Sequence, residues 1–84
     1  MGNTVAEFDN EAVERIREAQ RMRSTSLDLR GCHLTSLPKV LYALKGLRSL
    51  NLSGNNLTTL PTEICDLEEL RELALSSNQM RSLP

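Results

Sequence analysis

Residues 47–69 form a pattern that the rest of the chain repeats. Leucine occupies the first, fourth, sixth, eleventh and fourteenth places of this stretch, and Asn55 the ninth. Moving back 23 residues brings Leu27, Leu29, Leu34, Leu37-Pro38, Leu41 and Leu44 onto Leu50, Leu52, Leu57, Leu60-Pro61, Ile64 and Leu67 without a gap. Moving forward by the same step brings Leu70, Leu73, Leu75, Asn78, Met80 and Leu83-Pro84 into the frame, and the chain stops part-way through that third unit. A fixed period of this length means stacked units, none of which can bury its apolar face alone.

Composition sharpens the boundary. All sixteen leucines lie at or beyond Leu27, and Phe8 and Tyr42 are the only aromatic rings besides His33. The repeats therefore start at about Ser26, over an aliphatic core. A chain of this size folds as one small domain that buries only about 60% of its unfolded surface. Residues 1–26 carry five acids and four bases and residues 27–84 carry six of each. That balance leaves no electrostatic footprint for nucleic acid and no polybasic run for anionic lipid.

The chain divides into an N-terminal tail over residues 1–9, a helix and linker over 10–25, and repeats over 26–84. Gly2 after Met1 raises N-myristoylation, but Ala6 stands where that motif wants Ser or Thr, so a plain N-terminus is the preferred reading. No apolar run has the length of a membrane span and the opening residues lack the regions of a signal peptide, so a cytoplasmic location without stable membrane insertion is expected. From residue 10 to about 23, Ala12, Val13, Ile16, Ala19 and Met22 fall on one stripe at helical spacing. Glu11 and Arg15 make a favourable pair four residues apart. A helix this short needs a packing partner. The first repeat offers one, which makes the helix the cap of the leucine core.

Each repeat is expected to run as a strand, a turn and an outer return segment. The strands fall at residues 26–30, 49–53 and 72–76, side by side and parallel, with the leucines turned inward and their neighbours outward. Val40, Leu41, Leu44, Ile64 and Leu67 are expected to anchor the outer segments, which begin after Pro38 and Pro61. Asn55 and Asn78 sit where the chain leaves the strand, and their amides can bond backbone groups that the bend would bury unpaired. Cys32 takes the equivalent place in the first unit as a buried structural thiol. Cys65 lies on an outer segment, too far away for a disulfide, and free thiols suit a reducing compartment.

Nothing in the chain assembles a catalytic or metal-binding set. Cys32 and the lone His33 are adjacent, so they point apart, and one His with two distant Cys has no metal-ligand spacing. No phosphate-binding glycine loop is present, and no cofactor is expected. What remains is the outward face of the strands. Its columns are Ser26, Ser49 and Glu72; Asp28, Asn51 and Ala74; and Arg30, Ser53 and Ser76; Thr25, Arg48 and Arg71 flank them. Arg30, Arg48 and Arg71 are the candidate anchors, because Arg makes planar paired bonds to carboxylates.

These residues resemble the leucine-rich-repeat superfamily. The 23-residue unit ending Leu-Pro-x-x-Ile/Leu is similar to its intracellular type, as in Ras-group scaffold repeats and Roco repeat regions, with coverage of residues 24–84. The resemblance implies an α/β leucine-rich-repeat solenoid, with short parallel strands on the concave face, turns or short helices on the convex face and an N-terminal amphipathic capping helix. It implies a partner protein gripped on the concave side, a role that passes by position to Ser26, Asp28, Arg30, Ser49, Asn51, Ser53, Glu72, Ala74 and Ser76. The expected function is a non-catalytic protein-protein interaction scaffold in signalling. The alternatives are a regulatory N-terminal segment of a larger GTPase or kinase, or a purely structural cap of a longer array. Two departures stand out. Ser24 replaces the opening leucine of the first unit, and the last unit ends at Pro84 without a capping element. The second leaves Leu70, Leu73, Leu75, Met80 and Leu83 partly open to water. It points to a fragment or short form, or to self-association through that end.

Overall fold

The computed structural model describes residues 10–81. Helix α1 (Asn10–Met22) leads into strands β1 (Ser26–Asp28), β2 (Ser49–Asn51) and β3 (Glu72–Ala74), and the strands are joined by 3₁₀ segments η1 (Lys39–Ala43) and η2 (Thr62–Asp66). The tail over residues 1–9, with the Gly2 site, lies outside the described residues, as does Leu83.

The stripe on α1 works as its spacing predicts for Ala12, Ile16 and Ala19, which are buried in one cluster with the repeat leucines. The helix packs against β1 and η1. Met22 departs from the expectation and is 67% exposed. The helix stops at that residue: Arg23 turns to φ +53, its N–H donates to the Gln20 carbonyl, and the Ser24 N–H donates to the Ala19 carbonyl at 2.9 Å. This paired closure satisfies two terminal carbonyls, with Arg23 in the left-handed place that glycine usually fills. The chain reverses there before Met22 can reach the core.

The three strands form one parallel sheet in the order β1-β2-β3. Ser26 pairs with Ser49 and Ser49 with Glu72, so each step in the sheet is one 23-residue period. The strands are three residues long rather than five. Beyond them the ladder survives as single bonds, Leu29 N–H to the Asn51 carbonyl and Leu52 N–H to the Ala74 carbonyl, both 2.9 Å. Side-chain turns stand at the exits of β1 and β2. Asp28 Oδ1 accepts the Arg30 N–H and Asn51 Oδ1 accepts the Ser53 N–H, each at 3.0 Å. Such turns favour the bend, while β3 ends at the same length on Ala74, which has no side-chain oxygen. Gly31 at φ +64 and Gly54 at φ +72 then complete the bend.

Inside the sheet Leu29, Leu47, Leu50, Leu52 and Leu57 are essentially inaccessible to solvent. Pro38 and Pro61, extended at ψ 140 and 157, open η1 and η2. A 3₁₀ segment has three residues per turn, so Leu41 and Leu44 align on its inner side. Val40 is thereby pushed outward and is 40% exposed, a correction to its expected anchoring role. The equivalent place in the second unit holds Glu63, which is also exposed. In the third unit Leu73 is 37% exposed and Leu70, Leu75 and Met80 are half-buried.

Candidate interaction surface

The solvent face of the sheet is built on backbone bonds between successive units. The Thr25 carbonyl accepts the N–H groups of Arg48 and Ser49 at 2.7 and 3.0 Å. The Arg48 carbonyl accepts those of Arg71 and Glu72 at 2.8 and 3.0 Å. Arg48 and Arg71 are thus hydrogen-bonded neighbours at the entrance to β2 and β3, and both side chains are exposed. Arg48 makes no ion pair with any described residue, and Arg71 reaches Glu69 only at 4.0 Å.

Arg30 is engaged differently. Its Nε lies 3.1 Å from both Asp28 carboxylate oxygens and its Nη2 donates to Oδ2 at 2.9 Å. These bonds to Arg30 hold the Asp28 carboxyl below its ordinary range and raise the guanidinium. A paired Arg30 must be released before it can grip another carboxylate, which separates it from Arg48 and Arg71. In the other columns Ser26, Glu72, Ala74 and Ser76 are exposed, while Ser49, Asn51 and Ser53 are half-buried. The Ser76 hydroxyl donates to the Ser53 hydroxyl at 3.0 Å, one unit apart.

Behind this face stands a ladder of amides. Asn55 is only 3% exposed and makes five bonds. Its Oδ1 accepts the N–H groups of Cys32 and Leu34, and its Nδ2 donates to the carbonyls of Leu29, Leu52 and Ser53. Asn78 repeats the scheme one unit later, accepting from the Leu57 N–H and donating to Leu52, Leu75 and Ser76. Each asparagine therefore bonds its own turn and the turn before it. At the equivalent place in the first unit the buried Cys32 thiol lies 3.7 Å from the Arg30 carbonyl. A small, weakly polar side chain fits this buried place. Cys32, buried, and Cys65, exposed, form no disulfide with each other.

Sequence reasoning missed Arg15 as a contact to the sheet. Its Nη1 donates to the Asp28 carbonyl at 2.9 Å while its Nη2 bonds Glu11. The helix stripe identified the buried residues but not the cation beside them. Tyr42 was also missed. It lines a groove on the outer side with Leu37, Leu60 and Pro61, flanked by Lys39 and Glu63. Its hydroxyl is buried without a partner among the described residues, and burial, then Glu63 and Asp66, raise its pKa.

His33 is exposed while the neighbouring Cys32 is buried, so the pair does not converge on a common site. Among the described residues no three His, Cys, Asp or Glu side chains come together as a metal-binding group, and no helix is long and apolar enough to cross a membrane. No curated protein matches the chain. The family model described as leucine rich repeat matches residues 24–80. That span covers most of the chain and contains the leucine ladder, the three parallel strands and the asparagine turns described above, and the chain belongs to the leucine rich repeat family.

Proposed function

We propose that this chain is the capped start of a repeat solenoid and that it binds an acidic segment of a partner protein on the concave, solvent face of its sheet. Members of the family serve as protein-binding modules, and the coarse function follows from membership. The finer reading rests on one observation: Arg48 and Arg71 stand one unit apart on hydrogen-bonded backbone, exposed and weakly paired, whereas Arg15, Arg21 and Arg30 are each held by a nearby carboxylate. Like charges side by side attract a carboxylate-bearing ligand, and Arg binds one through paired hydrogen bonds. Ser26, Ser49, Asn51, Ser53 and Ser76 supply neutral donors and acceptors around that pair, with Glu72 and Ala74 at its edge.

The capping role of α1 is supported by Ala12, Ile16 and Ala19, which bury against the first unit where a preceding repeat would otherwise lie. An intracellular setting agrees with the lack of a disulfide between Cys32 and Cys65. A place in signalling is supported by the likeness of the Leu-Pro-x-x-Ile/Leu unit to Ras-group scaffold repeats.

The test is a nuclear magnetic resonance titration of the labelled chain with a glutamate decapeptide. The reading expects shifts at Arg48, Ser49, Arg71 and Glu72 that disappear in the Arg48→Ala/Arg71→Ala variant. Shifts confined to the α1 arginines, or none, would overturn it.

A further inference from the structure

A groove of about 740 Å³ runs along the outer segments of the first and second units, where η1 and η2 lie side by side. Its volume falls within the roughly 300–1,000 Å³ of small-molecule sites. Leu37 and Leu60, one period apart, are both buried and form its apolar floor together with Pro61. Tyr42 is half-buried, and its hydroxyl is shut off from solvent. An occupant of the groove therefore meets the ring of Tyr42 rather than its oxygen.

The ring and the charges of this groove are not residues that the repeat requires. One period on, Leu37 becomes Leu60 and Pro38 becomes Pro61, but Lys39 becomes Thr62 and Tyr42 becomes Cys65, while Glu63 takes the place of Val40. The floor repeats and its rim does not. Lys39 is the first residue of η1 and Glu63 the second of η2, so the cation comes from one unit and the carboxylate from the next. Both are exposed, and neither makes an ion pair with any described residue. An apolar floor between charges of opposite sign complements a molecule that carries both signs itself. A ligand with a single charge would bring it beside a like charge on the rim.

We infer that this groove binds a short hydrophobic peptide with free ends, of the size of a dipeptide. Its two side chains lie on Leu37, Leu60 and the Tyr42 ring. Its terminal carboxylate faces Lys39 and its terminal ammonium faces Glu63. Thr35, Ser36 and Thr59 also line the groove, and their hydroxyls can donate to or accept from the peptide group between the two ends. Recognition rests on the two free ends, so a segment inside a longer chain, which has neither, is a poor occupant. The groove shares no residue with the Arg48 and Arg71 surface, and the proposal is independent of what binds the sheet.

The test is a nuclear magnetic resonance titration of the labelled chain with phenylalanyl-leucine up to about 20 mM, a range that covers the millimolar affinity of so small a ligand. Saturable shifts should appear at Leu37, Lys39, Tyr42, Leu60 and Glu63, with Arg48 and Arg71 unmoved. Acetylating the amino end or amidating the carboxyl end of the dipeptide should each weaken binding about three- to fivefold, the scale of one exposed ion pair. Lys39→Ala should then bind the free and amidated dipeptides equally, and Glu63→Gln the free and acetylated ones. Both residues are exposed, so these variants keep the fold, and unchanged spectra away from the groove record that. The absence of saturable shifts, or shifts centred on the sheet or on α1, would overturn the proposal. So would blocked dipeptides that bind as well as the free one, the result expected if the groove takes an internal apolar segment of a partner protein.

Discussion

The side-chain oxygen of Asn55 accepts the backbone N–H of Cys32 at 3.0 Å, tying the second turn to the first across 23 residues. The same side chain holds the Leu34 N–H and the Leu29 carbonyl. Removing it leaves three buried backbone groups of the first unit without partners, at about 1–3 kcal/mol each when nothing replaces the bond. Asn55→Ala should therefore cost about 3 kcal/mol or more, a large share of the stability of so small a domain. Asn78→Ala, at a half-buried site with fewer bonds to the preceding turn, should cost about 1 kcal/mol. Urea unfolding of the two variants checks the order, and equal losses would contradict this account of the ladder.

Ile16 is fully buried between α1 and the first repeat. Ile16→Asp places a charge there with no partner, and the variant should lose about 3 kcal/mol or unfold at room temperature. Met22→Asp, on the same stripe but exposed, should stay within about 0.5 kcal/mol of the parent. Thermal melts decide it, and an unchanged melting temperature for Ile16→Asp would remove the helix from its role at the end of the core.

Three equivalent turn positions differ in residue but not in conformation. Gly31, Gly54 and Ser77 have φ +64, +72 and +58. A residue with a Cβ is disfavoured in the left-handed region by roughly 1–2 kcal/mol. Ser77→Gly should therefore stabilise by about 1 kcal/mol, as should Arg23→Gly at the end of α1, and Gly54→Ala should destabilise by a similar amount. Denaturant midpoints provide the comparison.

Two groups set opposite pH limits. Arg30 lowers the Asp28 pKa below the ordinary 3.8, so the carboxylate's contribution is complete above pH 3.8 and is lost as pH falls through the lower folded value. Burial raises the Tyr42 pKa above 10.0, so its contribution is complete below pH 10.0 and is lost as pH rises through the higher folded value. Melting temperature should fall at both ends. Tyr42→Phe should weaken the alkaline decline, and at neutral pH it should gain up to about 1 kcal/mol by removing a buried hydroxyl that has no partner.

The period, the inward leucines and the asparagine turns were legible because each depends on spacing alone. Residue 23 places further on fills the same environment, as the Ser26, Ser49 and Glu72 register shows. What spacing could not supply was local phase. Val40 and Leu41 are neighbours of similar character, and only the three-residue turn of η1 decides which faces inward. Met22 fits the helical stripe yet is the last residue of α1, with the reversal at Arg23 directly after it, and no glycine signals that reversal. Asp28 and Asn51 were assigned to a partner surface by their column, while their strand-exit bonds to Arg30 and Ser53 depend on side-chain geometry that a column does not carry. The pairing of Arg30 with Asp28, two residues away on the same strand exit, likewise separates it from Arg48 and Arg71.

Binding through Arg48 and Arg71 is tested most directly by the affinity of a fluorescent glutamate decapeptide for the parent, for Arg48→Ala/Arg71→Ala and for Arg17→Ala, an exposed residue of α1. Removing the two sheet arginines should weaken binding about tenfold or more, equivalent to roughly 1.4 kcal/mol, while Arg17→Ala should leave it unchanged. Equal losses in both variants, or none in either, would contradict an acidic partner seated on the sheet.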